Sequence, residues 1–181
     1  MLVRERIWDF VSYVIERSKK DTGFRARFVV ANNPDLEYRV WPYLVEFCDI
    51  EDPVQRSAFA LVGSYIARAR LKKNGDHSLG EAIRETNTIL SKRQSISKSN
   101  WFTPGEMRLQ RIISCHSKKE LIDVLRRIFP WIVSSRGVVL DNAKLLRDIL
   151  EWGEAVKLRW VKEFYKEGIN VDNNSNVDRS S

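Results

Sequence analysis

The chain has 181 residues, of which 43% are hydrophobic, and its formal net charge at pH 7 is +7. This length and apolar content predict one globular domain or two small lobes and exclude a disordered chain. No apolar run is long enough to cross a bilayer, and charged residues among the first ten exclude a secretory signal peptide. We therefore expect a cytoplasmic protein without membrane contact.

The positive charge is concentrated in the middle of the chain. Residues 56–98 carry 9 basic and 3 acidic side chains, net +6, and residues 104–147 carry 9 and 4, net +5. The two ends, residues 1–55 and 148–181, are each net −2. Clustered Lys and Arg neutralise phosphates and release counterions, so this distribution favours a polyanionic partner. A merely solvated surface with a solubility bias would have the same charge count.

The first half of the chain has helical periodicity throughout. Proline and cap residues separate the segments, and no segment alternates apolar and polar residues over the length of a strand. The longest segment begins after Asp52 and carries an apolar stripe that includes Leu61, Tyr65 and Ile66. The predicted helices span about 2–17, 22–31, 36–47 with a kink or a split at Pro42, 53–72, and 79–87.

The second half of the chain predicts three more helices, at about 104–114, 118–129 and 142–167. Capping-box patterns occur at residues 78–81, 103–106 and 117–120. In the last predicted helix, apolar residues at spacings of three and four mark one buried face. They are Leu145, Ile149, Trp152, Val156, Trp160 and Phe164.

These elements predict an all-α fold, a two-lobed bundle of about eight helices. Residues 1–90 would form an N-terminal lobe and residues 104–167 a C-terminal lobe. The polar, basic residues 91–103 would form a mobile linker between them. Residues 168–181, rich in Asn, Ser and Asp, would form a disordered tail.

The residues that catalysis or metal binding would need are poorly placed. Cys115 and His116 are adjacent, so on a helix they point about 100° apart and cannot form a nucleophile–base pair. Cys48 and Cys115 are predicted to be reduced and buried, with a single disulfide as the alternative. The acidic residues at 49–52 fit a solvated loop and a helix cap better than a metal site. We therefore expect no enzyme, no cofactor and no metal.

The basic residues make a stronger case for function because several of them share helix faces. Arg68 and Lys72 are four residues apart, Arg70 and Lys73 extend their patch, and Arg84 lies on the next helix. Each alone could be an ordinary surface charge or a cation at a helix C-terminus. As a set they are candidate phosphate contacts, together with Arg108, Arg111, Arg126 and Arg127.

The six tryptophans could stack on nucleobases, but their helical spacing is more typical of core residues. Trp152 and Trp160 in particular are predicted to lie in the core. Trp101, beside the predicted mobile linker, is the one that we keep as a candidate contact residue.

The order of several motifs resembles the CasB family, the small subunit of the type I-E CRISPR surveillance complex, Cascade. The motifs are Ser-Leu-Gly-Glu-Ala-Ile at 78–83, Glu-Met-Arg-Leu-Gln-Arg-Ile-Ile at 106–113, Leu-Arg-Arg at 125–127, Trp152, and Trp-Val-Lys-Glu-Phe-Tyr at 160–165. The resemblance covers residues 1 to about 167. It implies an all-helical, non-catalytic subunit.

The resemblance also implies partners and a role in antiviral defence. Two copies would lie along the crRNA-bearing assembly and pack against its backbone subunits and its large subunit. They would help to hold the target strand and the displaced non-target strand of the R-loop. Such a subunit contacts the nucleic-acid backbone while guide pairing reads the sequence.

Some positions match the family pattern and others depart from it. Arg25 and Arg27 match the start of the arginine-rich second helix and join the candidate nucleic-acid-binding residues. Val29, Val30 and Met107 stand where the family pattern has positive charge.

Two other functions remain open from the residues alone. The first is a structural adaptor whose basic faces dock onto acidic protein partners without DNA contact. The second is a DNA-binding regulator with a helix-turn-helix, for which residues 104–129 are the candidate pair.

Overall fold

The computed structural model describes residues 3–94 and 102–166. Within these ranges the chain forms nine α-helices and one 3-10 helix, and its only bridge between extended residues pairs His77 with Leu140. The predicted all-α fold is confirmed. In chain order the elements are α1 Val3–Lys20, α2 Thr22–Val30, the 3-10 helix Pro34–Val40, α3 Trp41–Leu44, α4 Pro53–Ala69, α5 Leu79–Gln94, α6 Pro104–Ile113, α7 Lys118–Ser134, α8 Asn142–Leu150 and α9 Glu154–Tyr165.

Side-chain caps set the helix starts at the predicted places. The capping boxes at 78–81, 103–106 and 117–120 all form, each with reciprocal hydrogen bonds between the cap residue and the glutamate three residues later. The Asp52 carboxylate accepts hydrogen bonds from the backbone N–H groups of Val54 and Gln55 at the start of α4. These caps satisfy backbone donors that a helix start leaves unpaired.

Helix α4 lies at the centre of the molecule. Every residue from 58 to 67 is buried, and α4 packs against α1, α2, α7 and α8. Buried side chains from both predicted lobes belong to one hydrophobic core, which continues from Phe10 through Tyr65 to Phe129. The division into an N-terminal and a C-terminal lobe stays a prediction.

Helix α5 is longer than predicted. It continues to Gln94, whereas the prediction ended it near Asn87. Thr86 is fully buried and Ile89 packs against the core, so the apolar stripe that begins at Leu79 continues through the whole helix. The first residues of the predicted linker are therefore helical. Residues 95–101, including the candidate Trp101, lie outside the described residues, as does the predicted tail.

The predicted helix 142–167 is two helices, α8 and α9, and the prediction of one continuous helix was wrong. The chain turns at residues 151–153, where Gly153 is fully extended with φ 179°. Trp160 is fully buried as predicted, but Trp152 is only half-buried and lies 5.2 Å from Trp160, ring centroid to centroid. The turn folds α9 back so that it packs along α5.

Two other boundaries differ from prediction. The segment predicted at 36–47 splits into the 3-10 helix and α3 between Val40 and Trp41, one residue before Pro42, and a split near Pro42 was one of the predicted outcomes. Helix α7 continues through Pro130 to Ser134, five residues past its predicted end at residue 129. Pro130 is exposed.

Both cysteines are buried and unpaired, as predicted. Burial raises the pKa of the Cys48 thiol to about 11, so it stays protonated and unreactive at neutral pH. In the part of the chain that the structure describes, no helix is long and apolar enough to span a membrane.

Candidate nucleic-acid interface

Two loops that are far apart in sequence pair with each other at one end of the molecule. We call the pair of loops 70–77 and 136–142 the clasp. The backbone N–H of Gly75 donates to the Leu140 carbonyl at 3.1 Å, and that of Asp141 donates to the His77 carbonyl at 2.8 Å. The Asn74 amide nitrogen donates to the Asp141 carboxylate at 2.9 Å. These bonds hold the α4–α5 connection against the α7–α8 connection.

Gly75 is required by this close approach. A Cβ atom at position 75 would lie 2.1 Å from the Val139 carbonyl oxygen and 2.4 Å from its carbon. No side chain fits there, so the glycine allows the two backbones to pair.

The clasp borders a cavity of about 550 Å³ that opens to solvent and is lined by basic side chains. Its lining includes Arg70, Lys72, Lys73 and His77 from the first loop and Gly137 and Val139 from the second. The acidic group in the lining, Asp76, has a side chain that is 95% exposed. The cavity is therefore strongly positive and open to solvent.

Both loops of the clasp carry an arginine in the left-handed conformation. Arg70 has φ 52° and Arg136 has φ 59°, and both are exposed. This conformation costs an L-residue about 1–2 kcal/mol and is normally occupied by Gly or Asn. Both arginines therefore carry a backbone cost that glycine at these positions would avoid.

Arg93 connects the clasp to the face of α7. Its guanidinium donates to the carbonyl of Ser135 at 3.0 Å and to that of Ser134 at 3.5 Å, next to Arg136. Trp131 and Ser134 share one face of α7 with Arg127, because they follow it by four and seven residues. The face from Arg127 to Ser134 is about 10 Å long.

Arg108 of α6 lies over the same face of α7. Its guanidinium carbon is 4.2 Å from the centre of the Trp131 ring, and one of its nitrogens donates to the Pro104 carbonyl at 2.9 Å. Burial and, to a lesser extent, the charge of Arg111 lower the pKa of Arg108. An arginine pKa remains far above neutrality, so Arg108 stays charged.

We group the basic residues of these neighbouring elements into one candidate surface, which we call the basic strip. It comprises Arg108, Arg127, Arg93, Arg136, Arg70, Lys72 and Lys73. Arg108, Arg127, Lys72 and Lys73 were predicted as site residues, and Arg70 was predicted as part of the patch around Lys72. Arg93 and Arg136 were not predicted. Arg68 in the last turn of α4 and Arg111 on α6 are also exposed. A row of cations of this kind can pair with successive phosphates of a nucleic-acid strand.

Arg126 has a different environment from the strip. Its side chain is buried, and it pairs with the Glu37 carboxylate at 2.9 Å. It also donates to the carbonyls of Ala31 and Asn32 at 3.1 and 2.8 Å. Its donors are directed into the protein, so we leave Arg126 out of the candidate interface.

The remaining predicted residues lie on other elements. Arg84 donates to the Glu163 carbonyl at 2.6 Å and lies 3.5 Å from the Glu85 carboxylate, so it joins α5 to α9. On α2, Arg25 is half-buried, and Arg27 is exposed and donates to the Tyr43 hydroxyl. In the described ranges, no group of three or more His, Cys, Asp or Glu residues could hold a metal ion.

The fold is that of a known class of basic, all-helical proteins. A crystal structure of a CRISPR-associated protein of the Cse2 family from Thermus thermophilus matches with a TM-score of 0.61 and 21% sequence identity. A crystal structure of CasB from the same organism matches with a TM-score of 0.61 and 22% identity. Both alignments cover 92% of this chain and 99% of the other.

The family model described as CRISPR-associated protein Cse2 matches residues 25–165. The chain therefore belongs to the Cse2 family of CRISPR-associated proteins, and the predicted CasB resemblance is confirmed. No curated protein sequence matches the chain.

Proposed function

We propose that this chain is the non-catalytic small subunit of a type I-E CRISPR Cascade complex. It contacts the nucleic-acid backbone and stabilises the crRNA-guided R-loop. Family membership supports the place in a CRISPR system. The basic strip is the observation that supports phosphate contact, because it groups exposed cations and the half-buried Arg108 from four separate parts of the chain.

The proposed mechanism uses charge and shape rather than base sequence. R-loop formation exchanges one duplex for another of similar stability, so a few phosphate contacts shift the balance toward the open state. Two copies of the subunit would lie along the complex, against its backbone and large subunits, and hold the target strand or the displaced strand. The contacting residues that we propose are those of the basic strip, with Arg68 and Arg111 beside it and Arg25 and Arg27 as a separate group on α2.

A structural adaptor that binds only protein is the second candidate. Exposed large apolar side chains support protein binding. In the described part of the chain they are Trp8, Tyr38, Trp41, Val45, Phe102, Met107, Leu158 and Tyr165. Such a surface also fits a Cascade subunit, so the two candidates differ in whether the strip binds nucleic acid.

The salt dependence of DNA binding tests the proposal. We expect the full chain to bind DNA with an affinity that falls steeply with salt and does not depend on sequence. The double substitution Lys72→Met and Lys73→Met should reduce the slope of log K against log salt by roughly 1.5 and weaken binding about tenfold at low salt. Fluorescence anisotropy at several salt concentrations measures both.

A matched control separates position from total charge. Lys162→Met with Lys166→Met removes the same two charges from exposed positions at the end of α9. We expect this control to leave the slope near that of the unmodified protein. Equal slopes in both double variants would contradict the strip. Loss of co-purification with Cascade in the Lys72 and Lys73 variant, with DNA binding unchanged, would favour the adaptor.

A further inference from the structure

We infer that the cavity beside Arg108 and Trp131 binds one unpaired nucleobase. This inference rests on the proposed function, because it assigns a particular part of a nucleic-acid strand to a particular place on the basic strip. The cavity has a volume of about 330 Å³ and is lined by Asn87, Leu90, Ser91, Pro104, Arg108 and Trp131, with Ser134 at its edge. This volume is at the lower end of the range of about 300–1,000 Å³ for small-molecule sites, so the cavity suits one nucleotide.

The floor of the cavity is a fixed cationic plane. One face of the Arg108 guanidinium is covered by the Trp131 ring at 4.2 Å, and the Pro104 carbonyl accepts one of its hydrogens. Because Arg108 also lines the cavity, the guanidinium is available to a ligand there. Nucleobases stack on arginine planes as they do on aromatic rings, and the cation adds an attraction to the π-face.

The walls favour a base over a phosphate. Leu90 and Pro104 are apolar, whereas a phosphate site would present cations or backbone N–H groups on several sides. Asn87 and Ser91 supply polar groups. The Asn87 carbonyl oxygen accepts the backbone N–H of Gly105 at 2.9 Å, and this bond directs the Asn87 amide group as a donor. This mixed lining offers apolar contact to the faces of a base and hydrogen bonds to its edge.

Cations beside the cavity are placed for the neighbouring phosphates. Arg93 is bonded to Ser134 at the edge of the cavity, and Arg127 lies one helical turn before Trp131 on the same face of α7. A strand could therefore place a base in the cavity and its flanking phosphates on these two side chains. The bases of a duplex are paired and stacked inside, so the site selects single-stranded nucleic acid.

Oligonucleotides with and without bases test this inference. The probes are a thymidine single strand and a strand of equal length made of abasic spacers, which has the same number of phosphates. We expect the full chain to bind the thymidine strand at least about fivefold more tightly, since stacking of one base on a protein side chain contributes that much or more. Arg108→Lys keeps the charge but removes the stacking plane, so it should bring the ratio of affinities close to 1.

A second variant fills the cavity without changing any charge. Ser91→Phe places a ring in the space that the base would occupy, and it should also bring the ratio close to 1. The control variant with Lys162→Met and Lys166→Met should keep the ratio of the unmodified protein. A steep salt dependence with equal affinities for both strands would overturn the base site and leave the proposed function intact. A flat salt dependence would overturn the proposed function itself. A ratio that persists in both Arg108→Lys and Ser91→Phe would place the base elsewhere.

Discussion

Arg126 and Arg127 are neighbours in the chain and have opposite environments. Because successive residues on a helix point about 100° apart, Arg126 faces the core and Arg127 faces solvent. Arg126 belongs to a buried network around Glu37, and Arg127 belongs to the basic strip. Two adjacent arginines that look alike in the sequence therefore differ in the structure. Arg126 is paired inside the protein, and Arg127 is accessible to a ligand.

Pairing within the buried network offsets part of the cost of burying its charged groups. The Glu37 carboxylate is 7% exposed and accepts from Arg126 and from the Ser57 hydroxyl, both at 2.9 Å, while Arg56 lies 3.5 Å away. Burying charged groups is costly unless they are paired and hydrogen-bonded. Here Glu37 is paired with both arginines, but the buried Nε atoms of Arg56 and Arg126 have no hydrogen-bond partner. The network ties α7 to the 3-10 helix and to the C-terminal end of α2.

The basic strip has the opposite character. Its cations repel one another, and two of them occupy the left-handed conformation. The strip therefore lowers stability, which is typical of residues kept for binding. This difference predicts that the two groups of arginines respond oppositely to substitution.

The largest expected effect is on Arg126. Arg126→Met should lower the free energy of unfolding by about 3–5 kcal/mol, because it leaves the Glu37 carboxylate buried without its closest cation. Arg127→Met, one residue later, should change the stability by less than about 0.5 kcal/mol and should reduce the salt slope of DNA binding. Chemical denaturation measures the first quantity and anisotropy the second.

A double variant tests the cause of the Arg126 effect. Arg126→Met combined with Glu37→Leu also removes the buried carboxylate that has lost its closest cation, and it should recover part of the lost stability. Similar losses in Arg126→Met and Arg127→Met would show that the buried network contributes little.

The clasp gives the next largest effect. Gly75→Ala should destabilise the protein by about 2–3 kcal/mol, because the added methyl meets a backbone carbonyl that cannot move like a flexible side chain. Gly137→Ala is the control in the facing loop, since its Cβ would meet only the Ile89 side chain at an ordinary 3.5 Å. Thermal unfolding compares the two. Equal stability of both variants would mean that the loops do not pair as described.

Local sequence patterns predicted the helices well because caps and apolar spacing are local properties. The boxes at 78–81, 103–106 and 117–120 and the stripe of α4 are examples. The extension of α5 was also readable, since Thr86 and Ile89 continue the spacing that begins at Leu79. Reading that stripe further would have placed Arg93 on a helix.

The site depended on contacts that no local pattern carries. Arg126 meets Glu37 across 89 residues of sequence, so nothing near Arg126 distinguishes it from Arg127. The clasp likewise pairs loops more than 60 residues apart, and it brings Gly137, the residue after Arg136, into the same cavity lining as the predicted lysines. Helical periodicity cannot show a left-handed arginine in a loop.

The smallest expected effect separates the strip from the fold most clearly. Arg136→Gly relieves the left-handed conformation, which costs about 1–2 kcal/mol, but adds the backbone entropy of glycine, about 0.5–1 kcal/mol. The net change should be a stabilisation of a few tenths to about 1 kcal/mol, with a salt slope of DNA binding reduced by roughly 0.8. Arg127→Gly removes an equal charge from inside α7, where glycine costs about 1 kcal/mol relative to alanine, so it should reduce the slope equally and destabilise the protein. Anisotropy should therefore show a reduced salt slope of DNA binding in both variants. Denaturation should show that Arg136→Gly is stabilised and Arg127→Gly is destabilised. A destabilised Arg136→Gly variant would mean that the Arg136 side chain stabilises the clasp. Its left-handed conformation would then be explained by a structural role and not by DNA binding.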